Sequence, residues 1–296
     1  MPSTRDIRRR IKSVKGTAQI TKAMQMVASS KMQKAQQSAL NGRPFARLGQ
    51  TIMRHAATGA GDFTHPLLEA REVRKRGVIL VSTDKGLCGA LNTNLFREAA
   101  KYDPATTVFI AVGKKAAQFL ARAKRNLVAE FTYHDTPTYG EAQAIAHAAR
   151  KMFEEQSVDQ VEVLFTRFIN TISQRPESRS LLPMGDVQAT ASALAGNAPA
   201  TGQPPVDDTG AHEYIFEPNA SEVMEVMLVY LLDFQVAQVL LEAKASEHSA
   251  RMVAMKNATD NAKQLVKDLT LEYNKIRQAS ITKELLEITS ATAALG

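Results

Sequence analysis

The run NASEVMEVMLVYLLDFQVAQVLLEAKASEHSARMVAMKNATDNAKQLVKDLTLEYNKIRQASITKELLEITSATAAL, residues 219–295, contains neither Gly nor Pro. Pro218 precedes it, and Asn219 with Glu222 three residues on reads as an N-cap and its capping-box partner. In its second half, apolar or small residues recur at Met255, Ala258, Ala262, Leu265, Leu269, Tyr273, Ile276 and Ala279. Gaps of three and four place them in one stripe on a helix. At about 1.5 Å per residue such a helix exceeds roughly 100 Å, longer than a compact domain can cover. It needs a partner along part of its length, and a surrounding structure for the rest.

A matching stripe lies at the other end of the chain. Ile7, Ile11, Val14, Ala18, Thr21, Met24, Ala28, Met32, Ala35 and Ala39 repeat at the same spacing, with Ser3 or Thr4 as N-cap. The stripe is narrow and rich in Ala and Met, which suits a coiled-coil seam. Asn41-Gly42-Arg43-Pro44 interrupts it, and helical character resumes from Phe45 to Thr58.

Between the two helical segments the period changes. Gly77 to Thr83, Thr106 to Val112, Leu127 to Thr132 and Val161 to Phe168 are short apolar runs, as buried parallel strands require. Leu91–Tyr102, Lys114–Lys124 and Glu141–Glu155 alternate with them as helices. Residues 188–210, rich in Ala, Gly and Pro, are expected to form a loop, with an extended lead-in at His212–Glu217. The expected class is therefore α/β. N-terminal (1–58) and C-terminal (218–296) helices form a long antiparallel coiled coil, and a Rossmann-like domain of parallel strands (72–217) is inserted between them.

Charge narrows the function. The chain carries +7 overall, yet residues 1–40 hold nine Lys and Arg against Asp6 alone, so the rest is close to neutral. The basic segment should meet something acidic: nucleic acid, an anionic membrane face or an acidic protein surface. A solvated basic face is the bland alternative. Cys88 is the sole cysteine, which excludes a disulfide framework and a thiol pair. The start MPSTRDIRRRIKS has no apolar segment of a secretory leader, no run of about eighteen apolar residues suggests a membrane span, and a bacterial cytoplasmic setting is expected.

The sequence offers no catalytic centre. Ser82-Thr83-Asp84-Lys85-Gly86-Leu87-Cys88-Gly89 follows the first strand and could suit a phosphate, but neither a P-loop nor a dinucleotide fingerprint is present. Gly86 and Gly89 read better as turn and packing glycines. Cys88 reads as a buried small residue, and the six His residues show no metal spacing. No cofactor or metal is expected. The competing classes are a nucleotide-dependent enzyme with a coiled-coil arm and a nucleic-acid adaptor. The latter lacks an aromatic residue before Phe45 to stack on bases.

Four blocks, in order along the chain, decide among these: Ile20-Thr21-Lys22-Ala23-Met24-Gln25-Met26-Val27-Ala28, Thr83 to Gly89, Arg251 to Ala262, and Tyr273 to Glu284. Together they resemble the gamma subunit of the bacterial-type rotary proton-translocating ATP synthase, over essentially the whole length. The resemblance implies a non-catalytic central-stalk rotor. Its helices stand inside a hexamer of alpha and beta subunits, its α/β domain lies beside the epsilon subunit and on the c-subunit ring, and its place is peripheral, at the cytoplasmic face of the inner membrane. It also implies roles for single residues. Arg8 and Arg9 on the basic helix, with Met24, would face an acidic beta loop. Arg277, Gln278 and Thr282 would hydrogen-bond a second beta loop, while Tyr214 and Glu217 would form the foot toward the ring. Met24, Met26, Met32, Met252 and Met255 would suit a surface that repacks as it turns, or simply the seam. One departure stands out: Ala291-Thr292 occupy positions where the family usually has Gly-Ala, so regular helix is expected to the end. The paired cysteines of the plant-type insert are absent, and redox control of that kind is not expected.

Overall fold

The structure, a computed structural model, describes residues 4–59, 63–184 and 215–295. Two compact units emerge, Met1–Ser29 with Arg251–Gly296, and Ser30–Ala250. Helix α1 spans Thr4–Asn41 and helix α2 Arg43–Gly59, so the Asn41-Gly42 break separates them by a single residue. Then follow β1 (Arg76–Val81), α3 (Leu91–Ala99), β2 (Thr107–Val112), α4 (Lys114–Arg122), β3 (Asn126–Phe131), α5 (Tyr139–Glu154), β4 (Gln160–Phe168) and β5 (Gln174–Leu182). The last helix, α6, runs unbroken over Ala220–Leu295. It starts with Asn219 as N-cap, as the sequence implies: Glu222 N donates to Asn219 Oδ1 at 2.9 Å, while the Glu222 carboxylate accepts from the side-chain Nδ2 of Asn219 at 2.8 Å in place of the backbone N–H of a capping box.

In the first unit the front of α1 and the back of α6 pair antiparallel. Arg8 meets Tyr273 and Thr21 meets Thr259, so the partner number falls as the first rises. Every position named in the α1 stripe is buried or half-buried. On α6 Ala258 is half-buried as expected, and beside it Met255, Thr259, Ala262, Val266, Leu269, Tyr273 and Ile276 are covered, alternating gaps of four and three in a strict heptad. Leu265 is 40% exposed instead. Ala279, expected on the stripe, is exposed as well.

The second unit is a five-stranded sheet in the order β3-β2-β1-β4-β5. The first four strands are parallel, as expected; β5 is an antiparallel edge that the sequence reading missed. Its sequence, QRPESRSLL, is too polar to look like a buried strand, and Pro176 is tolerated because an edge strand can spare a donor. Alternating residues feed two layers. Val78, Leu80, Phe109 and Ala111 meet Leu95 of α3 and Leu120 of α4. Ile79, Val81, Ile110 and Val112 belong to the larger core with Ile145 and Phe153 of α5, Met53 of α2 and the apolar side of α6 from Met224 to Ala243. A window of 18 residues within Ala220–Ser290 has mean hydropathy 1.6, enough by length and composition to cross a membrane. Here 56% of that window is buried inside the protein. Helix α5 begins at Tyr139, two residues before its expected start, because Thr138 and Glu141 close a capping box around its first turn.

Candidate functional site: the paired helices and their exposed tip

The heptad explains which residues of the helix pair remain available. A seam every three to four residues buries one side of each helix and leaves the other faces to solvent. Thr21 sits in the seam and shares a 2.7 Å hydrogen bond with Thr259, while also donating back to Thr17 O and Ala18 O. Thr259 likewise donates to Met255 O of its own helix at 2.8 Å, so what the pair adds to alignment is one polar contact across a seam where Ala and Met would slide. At the far end Arg8 donates to the Tyr273 hydroxyl at 2.5 Å, its guanidinium 5.5 Å from the ring centroid.

Arg8 and Arg9 are both exposed, and Arg8 is tied to Tyr273, so this part of the basic face is held rigidly. Met24 is half-buried at the edge of the seam, whose strict heptad position is Gln25. Met255 and Met32 are buried, whereas Met26 is 58% exposed. Met26 lies in an apolar strip with Ile20 at 62% and Val27 at 55%. The sequence reading missed this strip; the signal was available in apolar residues falling between the heptad positions.

Beyond Ile276 the stripe stops, and every described side chain from Arg277 to Ser290 is exposed. Arg277, Gln278 and Thr282 therefore stand on bare helix. So do Leu285 and Leu286, 58% and 63% exposed. The pairing explains the end point: residue 8 faces 273, so Thr4 faces about 277, and the described part of α1 goes no further. The tip stays helical through propensity and the Lys283–Glu287 ion pair at 3.7 Å, four residues apart. Glu217 is exposed just ahead of α6, in the other unit, and Tyr214 lies outside the described residues. Of the residues singled out, the structure thus groups Arg8 and Arg9 near the base of the tip that bears Arg277, Gln278 and Thr282. Met24 lies more than four helical turns along α1.

The phosphate-like loop after β1 has another occupation. Asp84 Oδ1 accepts from Lys114 N at 2.9 Å and Ser82 Oγ from Ala116 N at 2.7 Å, so the chain's own side chains cap the N-terminus of α4. Gly113 is required there: its φ is +94°, and a Cβ would stand 2.5 Å from Ser82 O. The turn itself uses Leu87 at φ 64° and Gly89 at φ 60°, while Gly86 is in open space. Cys88 is buried and lies 3.5 Å from the Asn92 amide. Among the described residues no group of three or more His, Cys, Asp or Glu is placed to hold a metal.

A breaker-free helix of 76 residues, one stretch buried in an α/β core, another paired with α1 and its last turns exposed, is the mark of a stalk-type subunit. The comparisons make this specific. Residues 3–295 match the family model described as ATP synthase. The chain is 45% identical to the ATP synthase gamma chain of Methylacidiphilum infernorum over 301 aligned residues, spanning all of both chains. It is 47% identical to that of Opitutus terrae, over 98% of each. Its fold is similar to a chain in the central stalk and c-ring structure of Tetrahymena thermophila mitochondrial ATP synthase (TM-score 0.59, 27% identity, 81% of this chain and 99% of that one). A chain of the Euglena gracilis mitochondrial enzyme shares the fold at TM-score 0.66 and 21% identity, over 99% of this chain and 94% of that one. The chain belongs to the ATP synthase gamma chain family. Its role is that of a central-stalk subunit.

Proposed function

We propose that the chain is the rotating shaft that passes motion of a proton-driven c-subunit ring to the catalytic beta subunits of an alpha–beta hexamer, for ATP synthesis or, in reverse, hydrolysis-driven pumping. The observation that carries this reading is the bare tip. A helix does not keep Arg277, Gln278, Thr282 and the apolar Leu285 and Leu286 in water without a partner to receive them. Arg277, Gln278 and Thr282 meet one beta loop; Arg8, Arg9 and Met24 face an acidic one. Glu217 and Tyr214 meet the ring and the epsilon subunit. The chain holds no active site of its own, and its contact with the membrane, at the cytoplasmic face of a bacterial inner membrane, is through the ring.

The energetics are differential. A shaft changes nucleotide affinity only by binding the beta conformations unequally, and a contact equal in all three moves nothing. Exposed arginines and amides suit this, because each contact is modest and is exchanged for water on release. The test is co-purification from the native membrane with a tag on this chain, followed by an ATPase assay of the complex. Alpha, beta and epsilon subunits are expected to co-elute, with activity that falls when α6 is cut before Arg277. A chain that elutes alone, or with nucleic acid and no ATPase, removes the rotor reading.

A further inference from the structure

Within the Ser30–Ala250 unit, α6 changes the way it is held. From Met224 to Ala243 its grip is mainly apolar, with the buried Asp233 accepting from the Tyr139 hydroxyl at 3.4 Å. Over the next two turns it is polar, and directed to several sides. Lys244 is 1% exposed, its ammonium 3.1 Å from Glu247, 4.1 Å from the centre of the Tyr133 ring and 4.0 Å from Asp135. His248 Nε2 lies 3.8 Å from the same Asp135 oxygen, and the other oxygen of that carboxylate accepts from Lys31 of α1. On the sheet side Ser249 donates to Thr171 O at 2.8 Å, and Glu242 faces Arg167 and Arg179 at 3.8 and 3.9 Å. Asp135, in the segment between β3 and α5, is therefore the point where α1, α6 and the sheet domain meet.

Stability alone does not explain this arrangement. A buried ion costs several kcal/mol to desolvate, and apolar side chains of the same volume often hold a core as well. Direction is what polar contacts add. Apolar packing is non-directional, whereas the attraction of the buried Lys244 ammonium for the Asp135 carboxylate, 4.0 Å away, weakens as either partner turns away.

We propose that the Lys31–Asp135–Lys244–Glu247 cluster is the torsional clasp of this rotor, with Asp135 as the positioning residue that fixes the angle of α6 in the α/β domain. The proposal rests on the rotor reading above. The experiment uses the full ATP synthase complex in phospholipid vesicles, carrying either Asp135→Asn or the paired change Lys244→Met with Glu247→Gln. Three quantities are read: ATP hydrolysis, the angular spread of a bead on the α/β domain while the hexamer is halted, and protons pumped per ATP against an imposed gradient. Hydrolysis stays near the parent value. Angular variance rises about twofold, because about half the directional contacts are gone, pumping per ATP falls, and Asp135→Glu restores both. Should one variant fail to assemble, the other reads the same quantities. Unchanged spread and pumping in an active complex overturn the clasp. A parent complex that does not contain this chain, or hydrolyses ATP without turning it, overturns the rotor reading instead.

Discussion

The two ends of α6 are built from similar helix-forming residues and are used in opposite ways. Between Leu231 and Ser249 almost every side chain is buried or half-buried, whichever way it points. Between Arg277 and Ser290 every one is exposed. Propensity makes both segments helical, so helicity says nothing about which is held. The difference is one of enclosure: the first segment packs among α5, α2 and the sheet, and the second has outrun its coiled-coil partner. A shaft needs both, one end gripped so that it turns with its domain, the other bare so that it can exchange partners.

Substitution by a charge draws that contrast most sharply. Val239 is fully buried, and Val239→Asp is expected to cost more than about 4 kcal/mol in chemical denaturation. Leu285→Asp, at a residue 58% exposed, is expected to stay within about 0.5 kcal/mol in the same measurement. Equal costs would break the comparison. Next comes function without stability. Cutting α6 after Ile276, or replacing Arg277 and Gln278 together by Ala, leaves thermal melting of the chain unchanged. ATPase of the assembled complex falls about tenfold, the scale of one lost charge-assisted hydrogen bond. Loss of melting temperature would show the tip to be structural. A smaller effect sits in the seam between the two extremes. In a double-mutant cycle on Thr21→Ala and Thr259→Ala, the hydroxyl pair should show a coupling of about 0.5–1 kcal/mol, and zero coupling would remove it as a register device.

Much of this was legible from pattern. Short continuous apolar runs gave the four parallel strands, and the absence of breakers gave the long helices, because both are local features of the chain. The misses share a cause. Leu265 joins the expected stripe because it is as apolar as Val266 beside it, and Thr259 stays out of it because it is less apolar than the half-buried Ala258. The partner helix decides by position, and Thr259 earns its place through Thr21. Strand β5 is polar because an edge needs little burial. The Asp135 cluster joins residues 31, 135 and 244, which no local window contains. At the candidate site, exposure of Arg277, Gln278 and Thr282 follows from geometry alone, while their partners are implied by likeness to the family.

The gripped end also carries a pH signature, and its two carboxylates should act with opposite sign. Lys31's hydrogen bond holds the Asp135 carboxyl below the usual carboxylate range, against a smaller opposing effect of burial. Its contribution to stability is therefore present above the unfolded value of about 4 and is lost as pH falls through the lower folded value. Burial raises Glu242 above its ordinary value, outweighing the attraction of Arg179 and Arg167. Its ionised form is disfavoured in the fold, so whatever stability it contributes is present below the unfolded value and lost as pH rises through the folded one. Asp135→Asn should thus flatten the acid side of a melting-temperature profile below about pH 4, and Glu242→Gln should flatten the side above it. Both changes are small, because Asp135 is 47% exposed and screened by water. If both variants flattened the same side, the two carboxylates would belong to one electrostatic environment. The separation between the lysine side of α6 and its arginine side would then be lost.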